Sequence, residues 1–554
     1  MRGSRERNSL ESPRPSGALQ GLFSRICGQD PVQEARQGDD IFGCFEDRAD
    51  LGEALRLGSG PFPKDLNRWR NTPNLRESTQ TGRSGMTSSP HGVSHLEWIK
   101  QRSSVPKSRT IAETMNTKLL RLAALLLVPV ASLHADEAPK PTGKVTQELL
   151  NSTHITPKLT FDPMSAYGQK YRPFAMASSM ESTRKGRLWT CWAGGEDGPN
   201  AYLVASYSDD HGKSWRDPVF VIDPQVHVSK TGVFSEASYT VSTGTGPETR
   251  KFSIGTRLGS FWCDPKGRLW LFFHQSVGMF DGSCSNWFVR CDDPDAEKPQ
   301  WTEPVYIGFG ASINKPIVRK NGEWILPVSL WERWHIDKPF ADYYHELDAV
   351  RGSNVFVSDD EGASWRYRGG NIFKDSCFNE HSVVEKQDGT LWMLSRCMKE
   401  ISQSLSTDGG KTWQPQTTFF PHANSKSVFR RLNSGNLLLI KHGQEFSAAP
   451  NRTTSNWGSG RYDLTAFLST DDGKTWSAKL LLDERSNVSY PDIAQTPNGD
   501  LYVHYDRDRA GAAEILFARF REEDVQAGNL VSKDAALKNL VKSKLGMTHG
   551  SGGK

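Results

Sequence analysis

The sequence predicts an all-β fold, a six-bladed β-propeller, and two repeats and one absence carry that prediction. The first repeat is a turn residue, a glycine, a polar residue and then an apolar strand. It occurs at Lys185-Gly-Arg-Leu-Trp189, Lys266-Gly-Arg-Leu-Trp270, Asn321-Gly-Glu-Trp324, Asp388-Gly-Thr-Leu-Trp392, Ser434-Gly-Asn-Leu437 and Asn498-Gly-Asp-Leu-Tyr502. This is a hairpin signal. Its glycines are 81, 55, 67, 46 and 64 residues apart, and a four-stranded blade takes about 40–50 residues, so each interval holds one blade and its loops. The second repeat, Ser-x-Asp-x-Gly-x-Ser/Thr-Trp, starts at Ser208, Ser358, Ser406 and Ser469. No helical period competes over 160–520. A β-sandwich is the other all-β solution, but fixed internal motifs favour radial repetition.

Taken in chain order, residues 1–114 are rich in Arg, Ser, Gly and Pro and lack any sustained period, the composition of a disordered segment. Met115-Asn-Thr-Lys-Leu-Leu-Arg121 then opens a basic stretch. It is followed by apolar Leu122 to Val130 and small residues up to Ala135. That order is the order of a signal peptide, and the apolar run is too short to span a membrane. Translation is expected to start at Met115, with 1–114 a misread upstream segment, 115–135 the signal and 136–160 a linker. The product is then exported, to the periplasm or beyond the cell. The propeller is expected over 161–520. Trp301 marks a degenerate copy of the second repeat, and charged residues with spaced Leu and Val over 521–543 predict a short helix in a C-terminal tail of 521–554.

Each copy of the second repeat is a self-contained turn. Its Asp accepts backbone N–H groups, its Gly permits the backbone angle and its Trp buries apolar area. These residues announce scaffold rather than chemistry. Charge excludes one partner class: after residue 135 the chain carries 49 basic and 50 acidic residues, which gives no reason to expect nucleic acid. Six cysteines follow Ala135, at 191, 263, 284, 291, 377 and 397, and none forms a CxxC pair. A zinc site is therefore not expected. Cys284 and Cys291 are the one pair close in sequence, and a disulfide between them and free buried thiols both stay open.

The second repeat resembles the Asp box of sialidase-type propellers. Residues 160–520 are similar to bacterial sialidases in motif order as well, closest to a divergent bacterial group. That resemblance implies a site with no metal or cofactor. The family holds a substrate carboxylate with three arginines, a task that suits a planar, permanently charged guanidinium. Carried over by motif, they are Arg172 in Tyr171-Arg-Pro173, Arg396, and Arg461 ahead of the last Asp box, with Arg430, Arg431 and Arg452 as rivals. Glu380-His-Ser-Val-Val-Glu-Lys-Gln-Asp-Gly-Thr-Leu-Trp-Met-Leu-Ser-Arg396 is the most specific match. It supplies Glu380 as general base, with Glu385 as the competing glutamate. Tyr490 in Ser489-Tyr-Pro-Asp492 matches the nucleophile. Asp197, in Gly194-Gly-Glu-Asp-Gly-Pro-Asn200, matches the general acid, and Glu196 is the neighbour to exclude. Asn314–Ile317 and Trp331–Trp334 are expected to line the pocket. His274, His335 and His381 are expected to be structural.

The resemblance implies an exo-α-sialidase that hydrolyses terminal sialic acid, or a related 2-keto sugar acid, with retention. The substrate is then a sialylated or other acidic glycan, with no nucleic acid and no stable membrane span involved. A propeller exoglycosidase or lyase on another acidic glycan is the alternative enzyme. A catalytically silent glycan-binding propeller is the alternative outside catalysis, and the filled site positions argue against it.

Overall fold

The computed structural model describes residues 145–550 except 236, 244–245 and 444–460. The 1–114 segment, the 115–135 signal and Arg452 lie outside the described residues.

Among the described residues six antiparallel sheets of four or five strands follow one another, with a two-stranded sheet of Ser238–Thr243 and Gly246–Lys251 between the first and second. The first blade runs Met176–Ser182, Leu188–Gly194, Tyr202–Ser208 and Phe220–Ile222, with Leu159–Phe161 added at its outer edge. The second holds Gly259–Cys263, Leu269–Val277, Ser285–Cys291 and Val305–Gly308, and the third Ile317–Val318, Trp324–Ser329, Ser353–Ser358 and Arg366–Asn371. The fourth holds Ser376–Glu385, Leu391–Cys397, Glu400–Ser406 and Thr417–Pro421. The fifth holds Val428–Arg431, Leu437–His442, Leu464–Ser469 and Ala478–Asp483, and the sixth Val488–Gln495, Leu501–Arg507, Glu514–Phe520 and Ala536–Ser543. A propeller is therefore the architecture, as the repeats predict. The six hairpin glycines each join the first and second strands of a blade, all with φ between 86° and 94°, a region that only glycine enters without strain. Second strands such as Leu269–Val277 and Leu391–Cys397 are buried along their whole length. They are covered on both faces, so they read as continuous apolar runs rather than alternating ones.

The Asp boxes sit where blades meet. In the first, Asp210 accepts from the Ser214 amide at 2.9 Å and the Ser208 hydroxyl at 2.8 Å. The Ser208 hydroxyl in turn accepts from the Gly212 amide at 2.9 Å. The turn so fixed presses on the neighbouring blade: a Cβ on Gly212 would lie 2.4 Å from Phe517 of the sixth blade, and one on Gly473 2.2 Å from Trp392 of the fourth. The glycines are thus required by space as well as by angle.

Among the described residues no strand is exchanged to close the ring. Closure is made by cross-links between the first and last blades. The Ala175 amide donates to the Arg509 carbonyl at 3.0 Å, the Ala177 amide to Asp506 at 3.0 Å and the Met180 amide to Asp492 at 3.0 Å. The Lys315 ammonium, from the third blade's entry, pairs with Asp492 at 2.8 Å and with Glu181 at 3.4 Å.

Two expectations need correction, and one open alternative is decided. The chain after 520 is not a tail. A helix does form, over Glu522–Ala527, but Ala536–Ser543 and Gly546–Met547 then extend the last sheet, because spaced apolar side chains at a sheet edge serve a strand as well as a helix. Part of the 136–160 linker is built into the fold as a helix over Gln147–Asn151 and the start of Leu159–Phe161. All six cysteines of the described residues are free thiols. Trp301 bridges to Cys291 and packs on Trp189 and Phe220, the position of a box tryptophan without its turn.

Candidate active site

Among the described residues three innermost strands carry a bulge, and in two of them it delivers a side chain to the candidate site. In Ser376–Glu385 the pairing shifts between Ser376 and His381, with Phe378 and Asn379 at φ 62° and 49°. This turns Glu380 out of the ladder. In Val488–Gln495 the shift lies between Ser489 and Asp492, with Tyr490 at φ 55°. Pro491 cannot donate to a ladder, which is the local reason for the bulge.

The two side chains meet. The Tyr490 hydroxyl donates to Glu380 Oε1 at 2.5 Å, and Arg396 Nη1 donates to Glu380 Oε2 at 2.8 Å and to the Tyr490 oxygen at 3.3 Å. Burial, and then the Glu380 carboxylate, push the Tyr490 phenol above its usual range, so it stands as a neutral phenol. Arg396 is the return strand's contribution to the same hairpin.

Asn424 ties two arginines together. Its side-chain oxygen accepts from Arg396 Nε at 2.7 Å, and its backbone carbonyl accepts from Arg396 Nη2 at 3.2 Å and Arg461 Nη2 at 2.9 Å. Among the described residues the buried Nε of Arg461 has no hydrogen-bond partner. Burial, with Arg509 and Arg396 close by, draws its pKa down to about 10. An anion placed beside Arg461 would offset that burial and repulsion.

Arg509 is the arginine that sequence reasoning missed. Its guanidinium lies 4.5 Å from the centre of the Tyr490 ring, donates to Ser489 Oγ at 3.2 Å and pairs with Asp506 at 3.3 Å and with Asp197 at 3.0 Å. Asp197 thus reaches the cluster from the first blade through Arg509. Glu196 does not: its carboxylate caps its own loop, accepting from the Asn200 amide at 2.8 Å and side chain at 2.9 Å. The signal for Arg509 lies in Asp506-Arg-Asp-Arg509, a run of charge closing the strand that returns from Tyr490.

Arg172 stands apart, contrary to expectation. Its guanidinium lies over Tyr171 at 5.9 Å and beside Gly546, lining a cavity of about 530 Å³ with Gly511 and Lys544. It makes no contact with Arg396, Arg461 or Tyr490 among the described residues. Pro173 restricts the backbone before it, and the Lys542 ammonium holds the Arg172 carbonyl at 3.1 Å. The other rivals are engaged elsewhere. Arg430 pairs with Glu181, Arg431 with Asp472 and Glu385 with Arg319. His381 bridges two backbone carbonyls at 2.8 Å each, and His274 is wholly buried. Asn314 donates to the His381 carbonyl and Lys315 belongs to the ring closure, so Asn314–Lys315 brace the inner strands. No helix among the described residues is long and apolar enough to cross a membrane.

The family model described as the BNR repeat-like domain matches residues 186–503. A sialidase of Bacteroides fragilis (strain YCH46) is 23% identical over 195 residues, covering 34% of this chain and 33% of that protein. The match thus spans about a third of the relative's length. Among solved structures, the Hadza microbial sialidase Hz136 is similar with a TM-score of 0.48 and 16% identity, covering 64% of this chain and 67% of that one. A leech intramolecular trans-sialidase complexed with 2,7-anhydro-Neu5Ac has a TM-score of 0.48 and 12% identity, covering 69% and 73%.

Proposed function

The chain belongs to the BNR repeat-like domain family, and on that premise we propose that it is an exo-α-sialidase, releasing terminal sialic acid or a related 2-keto sugar acid with retention. The observation that carries the reading is the Tyr490–Glu380 hydrogen bond set among Arg396, Arg461 and Arg509. A phenol suits this reaction because the anomeric carbon already bears a carboxylate, which would repel a carboxylate nucleophile.

The arginines would hold the substrate carboxylate, with Arg509 taking the place expected of Arg172. An arriving carboxylate competes with Asp197 for Arg509, and Asp197, released from that pairing, takes a proton from solvent. The Tyr490 oxygen then bonds to the anomeric carbon while its proton passes to Glu380. The glycosidic C–O bond breaks, and Asp197 gives its proton to the leaving oxygen. In the second half Asp197 takes a proton from water, the water oxygen bonds to the anomeric carbon, and Tyr490 leaves and recovers its proton from Glu380. Two inversions give net retention.

A 3-fluorosialosyl fluoride tests this directly. It should label the intact protein once, on the peptide bearing Tyr490, and leave Tyr490→Phe unlabelled. Labelling at another residue, or no labelling together with no turnover of 2-keto acid glycosides, would sink the reading. Export rests on the 115–135 pattern and is checked by sequencing the N-terminus of protein recovered outside the cytoplasm. A chain that retains residues before 115 would refute it.

A further inference from the structure

The segment that links the fourth and fifth blades, His422-Ala-Asn-Ser-Lys-Ser427, forms neither helix nor strand, yet every one of its residues is buried. Links between strands ordinarily run over the surface, where water satisfies their backbone. This one is held from within. The His422 amide donates to the Lys399 carbonyl at 3.2 Å, and the His442 amide donates to His422 Nε2 at 3.1 Å. The two imidazoles stack, with ring centres 5.4 Å apart. The Ser425 amide then donates to the Ala423 carbonyl at 2.7 Å, which closes a three-residue turn with Asn424 at its centre.

Both oxygens of Asn424 are given to arginines. Its side-chain oxygen takes Arg396 Nε, and its carbonyl takes one Nη2 from Arg396 and one from Arg461. These bonds fix the plane of the Arg396 guanidinium, whose Nη1 meets Glu380 and Tyr490. The amide is itself oriented, since its Nδ2 donates to the Met398 sulfur at 3.4 Å. Every group Asn424 brings is neutral. An aspartate would have nearly the same shape, but it would pair with the charge that a ligand carboxylate needs.

We propose that Asn424 is a positioning residue for the acidic sugar, setting Arg396 and Arg461 through uncharged oxygens so that their charge is kept for the ligand's carboxylate. The inference rests on the reading of this site as one for an acidic glycan, and it names a residue on which the affinity for that acid depends.

Calorimetry on the full chain with two free monosaccharides, a 2-keto sugar acid and a uronic acid, tests it. Neither probe has a glycosidic bond to turn over. Asn424→Asp should weaken binding of the acid that the parent takes by about 10–100-fold, with a melting temperature no lower than the parent's. Asn424→Ala keeps the backbone carbonyl and should weaken it by about three- to tenfold. A merely structural role gives the opposite order, because Asp is the closer match in shape. The proposal is overturned if Asn424→Asp binds as the parent does, if Asn424→Ala is the harsher change, or if the parent binds neither acid. Binding of the uronic acid alone is the separate signature of a failed sialidase reading, and the order of the two variants on that probe still decides the role of Asn424.

Discussion

Tyr490 occupies the left-handed backbone region at φ 55°, a placement that costs about 1–3 kcal/mol for a residue with a side chain. The strain is repaid by position, since an unbulged strand would keep its hydroxyl from Glu380. Tyr490→Phe should lower turnover by about 10²–10⁴-fold with an unchanged melting temperature, as kinetics beside a thermal scan will read. Arg509→Met should raise KM for an acidic glycoside about 10–100-fold, the worth of a charged hydrogen bond, whereas Arg172→Met should change it far less. Equal effects would return Arg172 to the site. Asp197→Ala should cost much more on a natural linkage than on an aryl glycoside, whose phenolate leaves without a proton, and Glu196→Ala should not discriminate between them. Glu380, Arg396 and Tyr490 were named in the sequence through motifs that resemble the family's, and a hairpin and two bulges bring them together. Arg461 and Asp197 were legible by their place beside an Asp box. Arg509 was not, because its partners Asp197 and Ser489 come from opposite ends of the chain and only ring closure joins them.

At the scale of the element, the Asp boxes and their glycine turns were readable because each is satisfied within eight residues. Their pressure on the next blade was not, since it depends on a distant Phe517 or Trp392. The same distance hid the last strands, which need an existing sheet edge before they differ from a helix. The boxes set an acid limit. Hydrogen bonds from Ser364 and Ser358 hold the Asp360 carboxyl at about 2, below its ordinary 3.8. A group whose folded pKa is depressed stabilises the fold above its unfolded value, and that contribution is lost as pH falls through the folded value. Stability should therefore decline from about pH 4 down to about pH 2, and denaturant midpoints across that range will register the decline. Asp210→Ala should lower stability by about 1–2 kcal/mol through lost turn hydrogen bonds, leaving the preference between natural and aryl substrates unchanged.

At the scale of the whole molecule, six blades could be counted from the sequence, but how the ring closes could not. Lys315, Asp492 and Glu181 carry no local pattern and meet only in the folded ring. Lys315→Met would leave two buried carboxylates without that cation and should cost about 3–5 kcal/mol, a loss visible in equilibrium unfolding. A variant as stable as the parent would show that the closure bears no weight. The closure also has a consequence in time. Asp197 is made early, whereas Tyr490 and Arg509 belong to the last blade, and the two meet only across the joint between first and last blades. A polypeptide still emerging from the ribosome can complete five blades and yet hold no assembled candidate site. The candidate site is therefore completed in a single step at the end of synthesis, and a fragment that ends before the last blade lacks it.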